Sequence, residues 1–192
     1  MKALAAVLLA ALVVVYRGLI TGALPVDLGI GRRVRPLGPL TLGIDAPREV
    51  VFEVIQAPYL ARQTRALAEK IHVLERGTDM VLAAHRTPLR GSLVATTVET
   101  VRFTPPDRVD FRLVRGPVPY VVEEFVLTED EGGTRLTLRG DLGTDLWALG
   151  SWWGERVARV WEYAVAKSLE TIKTESERRK RMSSPGSVDR GE

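Results

Sequence analysis

Hydrophobic and polar positions divide this chain into three regimes. Ala3 to Val15 is an uninterrupted apolar run, followed by Tyr16, Arg17 and a second apolar stretch from Gly18 to Leu24. Next comes alternation. Leu40, Leu42 and Ile44 predict a strand, and Val50, Val51, Val54 and Ile55 then recur at helical spacing through Gln56. Asp45 is placed to cap that helix, with Pro47 in its first turn, and Ala57-Pro58 ends it. Tyr59 to Glu69 predicts a second short helix. Six strand-like segments follow: 70–75, 79–86, 93–103, 108–115, 121–128 and 134–142. Turn residues separate them at Arg76-Gly77, Pro88 to Gly91, Pro105-Pro106-Asp107, Gly116-Pro117 and Glu131-Gly132-Gly133. Short links between consecutive strands predict an antiparallel meander.

From Leu146 the period changes again. Leu149, Trp153, Val157, Val160, Trp161, Ala164, Val165, Leu169 and Ile172 fall on one helical stripe, with charged residues on the other faces. A helix of about 30 residues spans about 45 Å, enough to cross the whole sheet. The expected organisation is an amino-terminal anchor (1–24), a linker (25–37), one domain (38–181) and a disordered tail (182–192).

The first regime has two readings. Thirteen residues rise about 20 Å as a helix, short of the ~30 Å hydrocarbon core, but continuing to Leu24 completes a span if Arg17 snorkels. Tyr16 suits the interfacial belt. The competing reading is a cleaved signal peptide, with Lys2 as its basic end and Thr21-Gly22-Ala23 as the cleavage site. The anchor is the expectation adopted, through residues 3–24 and their basic flanks. Arg17, Arg32, Arg33 and Arg35 lie on its carboxyl side, which places the domain in the cytoplasm by the positive-inside rule. Those linker arginines are expected to lie against anionic lipid or to serve solubility alone.

Charge narrows the function classes. The whole chain carries +3, yet residues 38–177 hold 17 Lys/Arg against 21 Asp/Glu. An acidic middle with basic ends argues against nucleic acid, which requires a continuous basic face. There is no cysteine, so disulfides, thiol nucleophiles and thiolate metal sites are excluded. His72 and His85 are the only histidines and neither has a metal-ligand partner at suitable spacing, so no metal or other cofactor is expected. Gly-rich phosphate loops, Gly-x-Ser-x-Gly elbows and His-Glu-x-x-His motifs are absent.

The order of elements resembles the START-like, or polyketide cyclase/dehydrase and lipid-transport (SRPBCC), superfamily across about residues 38–177. The residues that carry the resemblance are the Ala46-Pro47 to Val51-Phe52 helix entry, the Gly132-Gly133-Thr134-Arg135-Leu136 hairpin and the helix end Leu169 to Glu175. The resemblance implies an α+β helix-grip fold: a curved antiparallel sheet of about seven strands, closed over the carboxyl-terminal helix with an apolar pocket between. It does not imply one function, because this fold hosts receptors, carriers, cyclases and inactive binding modules.

Register follows from the hairpin. Arg135, Thr137, Arg139 and Asp141 face water, so Leu136, Leu138, Gly140 and Leu142 face in. Pairing Leu127 with Leu136 sets Phe125 against Leu138 and Glu123 against Gly140. Val109, Phe111 and Leu113 give the inward face of the preceding strand, joined by Thr97 and Glu99. Trp153, Val157 and Trp161 supply the helical floor. The expected ligand-lining set is therefore Thr97, Glu99, Phe111, Leu113, Glu123, Phe125, Leu138, Trp153, Val157 and Trp161. An inward carboxylate is costly unless paired or wet. Glu123 is expected either to pair with Arg112 or Arg139 or to act on a ligand. His85 reads as an ordinary strand histidine before a catalytic one, and all four tryptophans read as core packing. The function expected is a membrane-tethered protein sequestering a lipid, isoprenoid or quinone. Its rivals are a cyclase/dehydratase-type enzyme using Glu123, Glu99, Arg112 or His85, and an interaction module with a collapsed cavity.

Overall fold

The computed structural model describes residues 1–60, 70–89, 91 and 93–183. Seven antiparallel strands are laid down as a meander: β1 (Arg33–Ile44), β2 (Ile71–Arg76), β3 (Met80–Pro88), β4 (Val94–Thr104), β5 (Arg108–Arg115), β6 (Tyr120–Asp130) and β7 (Gly133–Thr144). Their order across the sheet is β1-β7-β6-β5-β4-β3-β2, so β1 closes against the last strand. Helix α1 (Lys2–Ile20) precedes the sheet, α2 (Arg48–Gln56) follows β1, and α3 (Trp147–Ser183) ends the described chain. A 3-10 turn, Ala57–Tyr59, extends α2. The second short helix expected up to Glu69 falls on Ala61–Glu69, outside the described residues.

Strand alternation decides what faces α3. In β6, Val121, Glu123, Phe125 and Leu127 are buried while their neighbours are partly exposed. Across the hairpin Leu127 pairs with Leu136, Phe125 with Leu138 and Glu123 with Gly140, the register read from the turn. Helix α3 meets the sheet through small residues: Gly150, Gly154 and Ala158 are buried at four-residue intervals. A Cβ on Gly150 would lie 1.6 Å from the Asp145 carbonyl oxygen, so only glycine permits this approach. Leu149 and Val160, expected on the buried stripe, are exposed. The stripe's axis passes through the small residues instead, which hydrophobicity patterns under-weight.

Two local expectations are corrected. Asp45 does not cap α2; Pro47 occupies the position before the first turn, with no side-chain cap. The Asp45 carboxylate instead accepts a bond from Lys180 Nζ at 2.6 Å. The expected linker is largely built into the domain, since β1 begins at Arg33. Ahead of it, Leu28 and Gly29 donate their N–H groups to Asp145 Oδ2 (2.7 and 2.8 Å), and Arg32 donates Nε to Asp145 Oδ1 at 2.7 Å. Arg35 reaches Glu162 of α3 at 2.9 Å. Gly, Pro and Arg carry no periodicity, so pairing set by distant β7 and α3 leaves no local trace.

Candidate functional site

The space between sheet and α3 holds two apolar clusters. One lies beneath α2 and includes Ile44, Phe52, Tyr59, Val101, Val109, Phe125, Leu138 and Leu169. The other lies beneath the first half of α3, where Leu37, Leu113, Val118, Val121, Leu142 and Ala158 meet Trp153, Val157 and Trp161. Along β6 the seam between them is Glu123, flanked by Val121 and Phe125. Along β4 it is Glu99, one inward step from Val101. Two carboxyl groups thus sit on the strands either side of β5 in a largely apolar interior, 6% and 7% exposed.

Their surroundings differ, and so does their chemistry. Glu99 accepts a hydrogen bond from Thr97 Oγ1 at 2.5 Å and lies 3.2 Å from His85 Nδ1. The imidazole is near enough for an ion pair, although Nδ1 has no well-aligned hydrogen bond. Burial pushes the Glu99 carboxyl up, but the neighbouring His85 ring and the bond from Thr97 outweigh it and hold Glu99 below its usual range. At the other ring nitrogen, His85 Nε2 lies 2.9 Å from the Tyr59 hydroxyl. Burial, then the nearby Glu99 charge, raises the Tyr59 phenol well above its ordinary value. The result is a relay from Tyr59 through His85 to Glu99, tied to Thr97.

Among the described residues Glu123 forms no ion pair. Its Oε1 accepts a bond from Trp161 Nε1 at 2.9 Å, and nothing here resembles the expected pairing with Arg112 or Arg139. Arg139 pairs with Glu124 on the outer face. Strand alternation explains the correction, because Arg112 and Arg139 both lie on outward, exposed positions of their strands and do not reach an inward carboxylate. Burial pushes Glu123 up to about 8, the indole bond opposes this, and the Glu99 charge adds to it. At neutral pH the seam therefore pairs an ionised carboxylate with a largely neutral carboxylic acid. One accepts protons or hydrogen bonds; the other donates.

Of the ten expected lining residues, Glu99, Leu113, Glu123, Phe125 and Leu138 are buried and Thr97, Phe111, Trp153, Val157 and Trp161 are half-buried; Thr97 bonds Glu99, and Trp161 bonds Glu123. Phe111 stands between Phe125 (ring centroids 5.0 Å apart) and His85 (6.5 Å). Leu113, Trp153 and Val157 belong to the cluster under early α3, while Phe125 and Leu138 belong to the one under α2. Trp153 donates Nε1 to the Pro117 carbonyl oxygen at 2.8 Å. Trp147 and Trp152 are exposed, which corrects their reading as core. Sequence reasoning missed Tyr59 and under-weighted His85. Residues 26 apart on a turn and a strand give no spacing signal.

Among the described residues no group of three or more His, Asp or Glu side chains could hold a metal ion. A depression of about 550 Å³ is lined by Arg112, Glu124, Arg139 and Asp141 together with Phe111 and Glu123. Helix α1 is long and apolar enough to cross a membrane.

The sequence matches no protein-family model and no curated protein. Solved structures do match. The Zhui aromatase/cyclase from Streptomyces sp. R1128 is similar at 21% identity and a TM-score of 0.60, over 77% of this chain and 95% of that one. The di-domain aromatase/cyclase StfQ of the steffimycin pathway is similar at 13% identity and 0.58, over 78% of this chain and 52% of that one. BexL, a di-domain aromatase/cyclase of the BE-7585A pathway, gives 16% and 0.54 over 78% and 50%. This chain spans about half of each two-domain protein. Seven curved antiparallel strands on one long helix, together with these likenesses, give the chain a helix-grip fold, the fold it shares with these aromatase/cyclases.

Proposed function

We propose that this protein binds an apolar small molecule with a polar end, such as a lipid, isoprenoid or quinone, between β4–β6 and the first half of α3. One observation carries the reading. Phe111 on the sheet and Trp153, Val157 and Trp161 on the helix face each other yet stay partly exposed, while Glu123 between them is a neutral acid. Apolar walls would remove the ligand from water, and the Glu123 proton would orient a carbonyl or hydroxyl oxygen. Anchoring by α1 would hold the site beside the ligand reservoir at high effective concentration. The basic residues after α1 favour a cytoplasmic domain.

The test is native mass spectrometry with organic extraction on the full chain in nanodiscs. A near-stoichiometric lipid or quinone is expected, retained through washing and lost in Phe111→Trp and Glu123→Leu. A protein that carries nothing and takes up no isoprenoid or fatty acid would favour a docking module.

A second reading is favoured by the Tyr59–His85–Glu99 relay, which a simple carrier does not require. In a cyclase or dehydratase, His85 would take a proton from carbon next to a carbonyl while Glu123 protonates the carbonyl oxygen. Glu123→Gln separates the two readings. A carrier keeps most of its ligand affinity with this isostere, whereas an enzyme keeps binding but loses turnover and the upper limb of its pH profile.

A further inference from the structure

The junction between α1 and the domain is built tightly. Tyr16 packs edge-on against Trp153 with centroids 6.1 Å apart, and Ile20 is buried. A Cβ on Gly22 would come within 2.6 Å of the Thr96 carbonyl oxygen, so the chain leaves α1 hard against β4. Around this junction lies a collar of uncovered apolar side chains. Leu28 and Ile30 before β1, and Trp147, Leu149 and Trp152 in the first turns of α3, are 53–66% exposed. The Arg156 guanidinium lies 3.6 Å over the Trp152 ring.

The fold spends conformational energy to hold this collar. Leu146 and Trp147 both adopt positive φ (68° and 47°), a region that strains non-glycine residues. Their N–H groups bond the Ile30 and Gly31 carbonyl oxygens at 2.8 and 3.0 Å, tying the segment before β1 to the start of α3. The Trp147 indole lies on Gly31, where a Cβ would come within 2.4 Å of the ring. A backbone shaped this way presents an indole outward instead of burying it.

Helix length says what covers the collar. The wholly apolar run Ala3–Val15 rises about 20 Å, against a hydrocarbon core of ~30 Å. The remaining depth falls to Tyr16 and the residues after it, but Tyr16 is already docked on Trp153. A bilayer that accommodates α1 therefore draws the docked end of the domain into its interface. Indole rings suit that depth, and a long guanidinium side chain can reach phosphate from it.

We propose that Leu28, Ile30, Trp147, Leu149 and Trp152 form a second membrane contact, a foot on the domain that beds into the headgroup–acyl boundary beside α1, with Arg156 on lipid phosphate. The inference rests on α1 being retained as a membrane span. The test uses the full chain in phosphatidylcholine–phosphatidylglycerol vesicles, with or without lipids brominated near the headgroup end of the acyl chain. Bromine is expected to quench tryptophan emission, and most of that quenching is expected to vanish in Trp147→Phe/Trp152→Phe, which retains Trp153 and Trp161. Equal emission in both vesicles, or undiminished quenching in the double variant, overturns the foot. Because the chain has no cysteine, Trp152→Cys gives a second measure. An oxidised covalent dimer through Cys at 152 would show that a second copy covers the face and would also overturn the proposal. Alkaline carbonate reports on α1 separately. A chain released from the vesicles overturns the span and the foot together, whereas a retained but unquenched chain overturns the foot alone.

Discussion

The two ends of the sheet–helix interface differ in how completely their large side chains are covered. Beneath α2, Leu127, Leu136, Leu138 and Val51 are at most 2% exposed, and Leu169 of α3 closes over them. Beneath the first half of α3, Gly150, Gly154 and Ala158 take the close contact with the sheet, while Trp153, Val157 and Trp161 remain partly open. The seam between the ends carries both buried carboxyl groups of the candidate site. One end is closed by Leu169; the other keeps accessible surface on Trp153, Val157 and Trp161. Closure at the first end is what lets the second stay incompletely filled.

The comparison breaks most directly by truncation at matched positions. Leu136→Ala, in the closed end, is expected to cost on the order of 2–5 kcal/mol, because a fully buried Leu leaves both lost transfer energy and a cavity. Val157→Ala, in the open end, removes less volume from a site that already reaches solvent, and about 1 kcal/mol is expected. Urea unfolding of both variants checks the contrast. Equal losses would mean that the two ends are packed alike.

The next largest effect is a pH dependence located in the seam. Glu123 titrates at about 8 in the native protein and near its ordinary value when unfolded. Below the unfolded value both states are protonated. As pH rises to about 8 the unfolded chain loses the proton first, so stability falls through that window and levels off above it. The expected loss is on the order of a few kcal/mol, and Glu123→Gln should flatten this slope. Glu99 acts oppositely: its lowered value contributes stability above the unfolded value that is lost as pH falls through the folded one. Unfolding midpoints of the wild type and Glu123→Gln between pH 5 and 9 measure the Glu123 limb. Identical slopes would place Glu123 in water.

Much of the closed end was legible in the sequence because it obeys short-range periods. The Leu127–Leu136 register followed from one turn and one alternating strand, and it carried Glu123 to its inward position correctly. What surrounds Glu123 and Glu99 was not legible. Trp161 reaches Glu123 across 38 residues, and Tyr59 reaches His85 from a turn whose irregular backbone has no period. Arg112 or Arg139 was the expected partner if Glu123 was paired at all; the outward parity already read for Arg139 sends it to Glu124 instead. The extension of β1 back to Arg33 was hidden for a similar reason. Its pairing with β7 and its arginine bonds to α3 are non-local, and Gly and Pro mask strand character.

The finest test of the comparison is the Trp161–Glu123 bond, where the two ends meet. Trp161→Phe keeps an aromatic ring in a partly open position and removes only the indole donor, so a cost of about 1 kcal/mol is expected. Its effect on titration is more informative than its effect on stability. The indole N–H favours the ionised carboxylate, and without it Glu123 should titrate higher than about 8. The descending limb of stability with pH would then extend further into the alkaline range. Carboxyl-carbon NMR of Glu123 reads the shift directly. A downward shift instead would mean that replacing the indole admits water to the seam, and that Trp161 keeps the carboxyl dry as well as bonded.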